Sequence, residues 1–192
     1  MPVIVSLLRG VNVGGHNMIK MDALRTLYDS LKLGDAKTYL QSGNVVFTTG
    51  AQALAGLPKR IEDAIEQAFG FRPSVIHRTA AELRDAIARN PFATRPGIEP
   101  SRLAVTFLGG DPTPEARDKV LAMKTDPEEL RMDGRELFIY FPNGMARPRI
   151  PMAQIERSLK VPATVRNWNT VTKLLEIADA IEAASSSRKT RS

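Results

Sequence analysis

The stretch KTYLQSGNVVFTT, residues 37–49, sets two β-prone runs on either side of Ser42-Gly43, a tight-turn pair, and so announces a hairpin. Towards the N-terminus, PVIVSLL, residues 2–8, reads as a buried strand, and Met21, Leu24, Leu27, Tyr28 and Leu31 recur at the spacing of one helical face. Towards the C-terminus, Leu54, Leu57, Ile61, Ile65 and Phe69 mark a second helical face with Pro58 early in it, and PSVIHR, residues 73–78, makes a closing strand. Thr79-Ala80-Ala81-Glu82 is a capping box, because the threonine oxygen can accept from the amide three residues on while the glutamate reaches back. A third helix is therefore expected to run towards Asn90.

The same order is then written again. Residues 91–101 hold three prolines and a glycine without periodicity and read as a linker. RLAVTFLG, residues 102–109, repeats the first strand, and Thr113-Pro114 opens a helix as cap and first-turn proline. ELRMDGRELFIYF, residues 129–141, is a hairpin around Asp133-Gly134, a pair suited to a type I′ turn. IPMAQIERSLK (150–160), ATVRN (163–167) and the face of Val171, Leu174, Leu175, Ala178 and Ile181 complete the copy. Gly43 answers to Gly134 and Val75 to Val165.

The expected fold class is α+β: a tandem duplication of a ferredoxin-like βαββαβ unit with an extra C-terminal helix in each half, antiparallel sheets carrying helices on one face. The boundaries are residues 1–90 for the first repeat, 91–101 for the linker, 102–184 for the second repeat and 185–192 for a basic tail. In the first strand both faces are apolar, Val3, Val5 and Leu7 on one and Ile4 and Leu8 on the other, so the side away from the helices must be covered, most simply by the second repeat. The first and third strands of each unit are expected to run parallel. That would put the loop after Arg9 and the Ser42-Gly43 hairpin at opposite ends of their sheet, and the RNWN turn at the hairpin end of the second half.

Composition removes several chemistries. With no cysteine among 192 residues there is no disulfide, thiolate nucleophile or cysteine-ligated metal, and the two histidines, His16 and His77, have no partner at ligand spacing. No metal and no cofactor are expected. The run at residues 2–8 is too short and lacks the basic leader of a signal peptide, and no apolar stretch approaches the roughly 20 residues of a spanning helix. A cytoplasmic location without membrane contact is the expectation. Of the net charge of +6, three charges come from Arg188, Lys189 and Arg191 in ASSSRKTRS, residues 184–192, which has too little apolar surface to order and is expected to be a disordered tail.

Four motifs, LLRGVNVGG (7–15), YLQSGNVVF (39–47), YFPNG (140–144) and RNWNTVTKL (166–174), resemble the bacterial family called domain of unknown function 1697 over residues 2 to about 181. The resemblance implies two related α/β halves and no assigned reaction. Arg9, Asn12, Gly14, Gln41, Ser42, Gly43, Asn44, Asn143, Gly144, Arg166, Asn167, Trp168, Thr170 and Lys173 fall on its motif positions.

The glycine loop, residues 10–17, has the outer glycines of a Walker A loop, G-x-x-x-x-G, but His16 and Asn17 stand where a lysine and a hydroxyl must follow. The helical pattern also begins nearer Lys20 or Met21, leaving no helix N-terminus behind the last glycine. What survives is a turn needing positive φ, or an anion-binding nest of amides at Gly14 and Gly15 beside Arg9, His16 and Lys20. Arg9, at the end of a buried strand, needs a salt bridge or a ligand. Trp168 is either a packing anchor or a stacking platform, and Asn167 or Asn169 caps the last helix, with Arg166 and Lys173 near the positive helix end. Gln41, Ser42 and Asn44 form the hairpin tip, where glutamine has no turn role of its own.

The expected function is binding of a small anionic or phosphate-bearing ligand in a cleft between the repeats. Its candidate residues are Arg9, Asn12, Gly14, Gly15, His16, Gln41, Ser42, Asn44, Arg166, Asn167, Trp168 and Lys173. The alternatives are non-specific nucleic-acid binding on charge, a metal-independent enzyme acting through arginine, lysine and amide groups, and a protein-interaction module. An RNA-recognition module would need aromatics on its central strands, where PVIVSLL has none and NVVFTT has only Phe47.

Overall fold

The computed structural model describes residues 1–146 and 148–189. The chain is α+β, with two similar sheet-plus-helix repeats. Unit 1 comprises Met1–Arg84 together with the chain from Lys173 onward, and unit 2 comprises Asp85–Thr172.

In unit 1, β1 (Val3–Leu8), α1 (Met21–Ser30), β2 (Gly34–Tyr39), β3 (Asn44–Thr48), α2 (Leu57–Phe69) and β4 (Val75–Thr79) follow in chain order. The sheet runs β2-β3-β1-β4, with every neighbouring pair antiparallel. One face of the sheet, Ile4, Leu8, Val45, Phe47 and Val75, packs against Leu24, Leu27 and Tyr28 of α1 and Leu57, Ile61 and Ile65 of α2. Each such side chain taken from water stabilises the fold by about 1.5–3 kcal/mol. The other face, with Val3, Val5, Leu7, Val46 and Ile76, is also buried, so it is covered as its apolar residues require.

The helix α3 (Ala80–Ala88) starts on the expected capping box: Thr79 N donates to Glu82 Oε2 (2.8 Å), and Glu82 N donates to Thr79 Oγ1 (3.1 Å). In unit 2 the order is β5 (Leu103–Leu108), α4 (Pro114–Leu121), β6 (Glu129–Asp133), β7 (Glu136–Tyr140), α5 (Met152–Leu159) and β8 (Ala163–Asn167), with the sheet running β6-β7-β5-β8. Its core joins Ala104, Leu108, Leu137 and Ile139 to Val120 of α4 and Ile155 and Leu159 of α5. Thr113 Oγ1 accepts from Ala116 N (3.3 Å), capping α4 as expected. The last helix, α6 (Trp168–Lys189), completes the chain.

Residues 91–101, read as a linker, lie within unit 2, where Phe92 is buried, its amide donates to Asn90 Oδ1 (3.0 Å), and Arg95 holds Glu129 through two hydrogen bonds. The chain from Lys173 groups with unit 1 rather than with the second repeat, and Arg84 pairs there with Asp179 (2.6 Å) and Glu182 (3.3 Å). Residues 185–189, expected to be disordered, continue α6, and Ser186 and Ser187 hydroxyls donate to the carbonyls of Glu182 and Ala183; the rest of that segment lies outside the described residues.

The second hairpin is shifted by one residue. Asp133 pairs with Glu136, so the turn residues are Gly134 and Arg135, and of these only Gly134 has positive φ (56°), which is a II′ rather than a I′ pattern. The structural counterpart of Val75, which pairs with Leu8, is Ala163, which pairs with Leu108, and not Val165.

Candidate functional site

The exit of β1 decides what can meet at this end of the sheet. A helix that packs back along the sheet returns β2 parallel to β1, and the tight hairpin then reverses β3. The strands β1 and β3 are therefore antiparallel, with Leu7 opposite Asn44, and not parallel as expected. The loop after Arg9 and the 40–43 turn thus share one end of the sheet. The amide of Leu8 donates to the carbonyl of Gly43 (2.9 Å), and that of Arg9 to the carbonyl of Ser74 (2.9 Å).

One side chain staples the two segments together. Asn12 Nδ2 donates to the carbonyls of Gln41 (2.7 Å) and Ile19 (3.0 Å), and Asn12 Oδ1 accepts from the Ile19 amide (2.8 Å). Asn17 Nδ2 donates to the Gly10 carbonyl (2.9 Å), and Asn12 N donates to Asn17 O (3.1 Å), so residues 12–17 form a small closed turn. This path needs left-handed backbone at Gly10, Asn12, Gly14, Gly15 and Asn17, and the facing turn needs it at Leu40 and Gly43. Asparagine and glycine are the residues that take that conformation at least cost. At Gly43 a Cβ would stand 2.9 Å from Leu8 Cβ, so the close approach of hairpin and strand requires glycine as well.

The candidate residues sort into two groups. Asn12 and Asn44 are consumed by the architecture: Asn44 is buried and its Nδ2 donates to Tyr39 O (2.8 Å) and Ser42 Oγ (2.9 Å), closing the hairpin tip. Arg9, Gly14, Gly15, His16, Lys20, Gln41 and Ser42 are exposed. Among the described residues, no acceptor takes the amides of Gly14 and Gly15 or pairs with the side chains of His16, Lys20 and Gln41. Neither residues 9–20 nor 40–43 contain a carboxylate, so the cations here are not neutralised from within their own segments. The helix α1 begins only at Met21, six residues beyond Gly15, which leaves the Walker A reading without its helix.

The RNWN residues serve the second sheet. Asn167 opposes Ala104 while Glu136 opposes Phe107, so this turn lies at the end of the sheet away from its hairpin, not beside it. Arg166 is buried, and its Nη1 donates to Thr164 Oγ1 and Val165 O (2.8 Å each); loss of water lowers its pKa to about 10, which leaves it charged at neutral pH. Asn167 Oδ1 accepts from Asn169 N (2.9 Å) and caps α6. Trp168 is buried, which removes it as an exposed stacking platform, and Lys173 pairs with Glu176 (2.7 Å).

The repeats provide a comparison within one chain. Arg78 and Arg166 occupy matching places, opposite Val5 and Val105, and each donates to the carbonyl of the residue before it. Thr79 and Asn167 match as helix caps. What both units share serves the fold. The first connection differs: twelve residues, 9–20, join β1 to α1, against five, 109–113, between β5 and α4. The hairpin turns differ at the same end, with four residues, 40–43, against two, 134–135. The extra length is therefore not needed to build such a unit.

Sequence reasoning missed Val13, Met18 and Leu40, which are 64%, 64% and 52% exposed at this end. Their signal was present, since each is an apolar residue inside a glycine- and asparagine-punctuated turn with no place on a helical or strand period. A groove of about 390 Å³ between α1 and α2, lined by Ala23, Leu27, Leu31, Ala64, Gln67 and Phe69 among others, has no charged wall and does not suit an anion. Among the described residues no helix is long and apolar enough to cross a membrane, and no group of three or more histidines and carboxylates could hold a metal ion.

A family model described as "Protein of unknown function (DUF1697)" matches residues 1–138, which contain the whole of the loop and hairpin end. The motifs at 140–144 and 166–174 lie beyond that match. Among solved structures, the chain is similar to the conserved bacterial protein SP0830 from Streptococcus pneumoniae, at 22% identity over 92% of this chain and 98% of that one, with a TM-score of 0.70. That likeness shows the fold. No curated protein matches the chain.

Proposed function

The chain belongs to the family described as protein of unknown function (DUF1697), and from that premise we propose that it is a binding module for a small anionic or phosphate-bearing ligand, held at the elaborated end of the first sheet. The observation that carries this reading is the paired lengthening of the 9–20 loop and the 40–43 turn, stapled together by Asn12. The hydrogen bonds of Asn12 and Asn17 tie these segments to one another, which lowers the ordering cost a ligand must overcome. Lys20, His16 and Arg9 supply positive or proton-donating groups, and the Gly14 and Gly15 amides supply donors without charge.

We further infer that the two repeats are a duplicated ferredoxin-like unit, which the strand orders β2-β3-β1-β4 and β6-β7-β5-β8 support, and that the protein works in the cytoplasm.

The test is thermal unfolding of the intact chain with inorganic phosphate, sugar phosphates, nucleotides and dicarboxylates at constant ionic strength. A ligand at 100 times its Kd stabilises by about 2.7 kcal/mol. Stabilisation by an anion that Lys20→Ala and His16→Ala reduce is the expected result. Absence of stabilisation by every anion, or a response indifferent to both substitutions, would overturn the assignment.

A further inference from the structure

We propose that the ligand of this end carries its anionic group on an apolar body, an alkyl or aryl phosphate rather than inorganic phosphate or a sugar phosphate; this rests on the anion-binding reading above. Val13, Met18 and Leu40 are all largely exposed. Each lies one residue from a point of the Asn12 staple: Val13 follows Asn12, Met18 precedes Ile19, and Leu40 precedes Gln41. Their backbone positions are therefore fixed by the same three hydrogen bonds that join loop to hairpin.

Leu40 is held at φ 57°, a conformation a bulky side chain takes only against steric cost, yet it faces water. The corresponding segments of unit 2, GGDPT at 109–113 and Gly134-Arg135, carry no large apolar side chain. The lengthened end thus carries three exposed apolar groups within the same two segments that hold Lys20, His16 and Gln41. A sugar's hydroxyls need hydrogen-bonding partners when they leave water, and valine, methionine and leucine side chains offer none. An alkyl chain needs only area.

The intact chain is titrated with inorganic, methyl, butyl and hexyl phosphate and with glucose 6-phosphate at matched ionic strength, following the Gly14, Gly15 and Met18 resonances. A fully buried methylene is worth about fourfold in affinity, and a chain covered on one side gains about half of that free energy, roughly twofold per methylene. The expected rise from methyl to hexyl phosphate is about 30-fold. Val13→Ser with Met18→Ser should flatten the series to within about threefold. Equal binding of methyl and hexyl phosphate, or a steep series that the double variant leaves intact, overturns this proposal while the anion site stands. Failure of every phosphate to bind overturns both.

Discussion

Replacing Asn12 by glycine and, separately, by alanine measures how firmly the loop is held to the hairpin. Glycine keeps the left-handed backbone, φ 55°, and removes three side-chain hydrogen bonds, two to Ile19 and one to Gln41. At about 0.5–1.5 kcal/mol each, with the solvent-facing Gln41 bond at the low end, the loss is about 2–3 kcal/mol. Alanine loses the same bonds and adds a Cβ where left-handed backbone penalises it, so it should cost about 1 kcal/mol more. Urea unfolding followed by circular dichroism gives the totals, and hydrogen exchange at the Ile19 amide gives the local part, because that amide loses its acceptor. Both variants within 0.5 kcal/mol of the parent, with Ile19 exchange unchanged, would refute the idea that Asn12 assembles this end.

The hairpin glycines should respond unequally: Gly43→Ala places a Cβ 2.9 Å from Leu8 Cβ and should cost about 2–4 kcal/mol, whereas Gly134→Ala meets the side-chain ends of Arg89 at 3.3 Å and Glu136 at 3.6 Å and should cost about 1 kcal/mol, read from urea midpoints. Burial lowers the His77 pKa to about 4, so the unfolded chain binds the proton more tightly and stability is lost as pH falls from about 6.5 towards 4. Between pH 7 and pH 5 this contributes a loss of about 2 kcal/mol that His77→Phe should abolish; parallel pH profiles for the two chains would count against it. Thr79→Ala and Asn167→Ala should each destabilise by about 1 kcal/mol through loss of a helix cap, and a change below 0.3 kcal/mol in calorimetry would contradict the capping geometry.

Much of the architecture was legible because it depends on local chemistry. The capping box at Thr79 and Glu82, the cap at Thr113, the helical faces from Met21 and from Leu57, and the doubly apolar β1 all stand where spacing and side-chain type put them. Strand direction is not local. It follows from how the β1–α1 connection returns, and the mistaken parallel pairing separated two segments that share Asn12. The staple itself was hidden because asparagine in a glycine-rich loop reads as a turn-former, and nothing in its spacing points 29 residues ahead to Gln41. The Asp133-Gly134 turn slipped by one residue because a pair that favours one turn also tolerates its neighbour, and the Glu136–Phe107 pairing fixes the choice. Arg166 resembled a ligand-binding arginine, and its counterpart Arg78 shows that both belong to the framework.

Unit 1 is discontinuous: its residues up to Arg84 are joined by helix only after the chain from Lys173 has been made. During synthesis at roughly 5–20 residues per second, the first sheet must wait on the order of 5–20 s for that segment to emerge, and Arg84 waits as long for Asp179 and Glu182. A ribosome stalled near residue 172 would therefore hold a complete run of eight strands and still lack the piece that finishes the first of its two bodies.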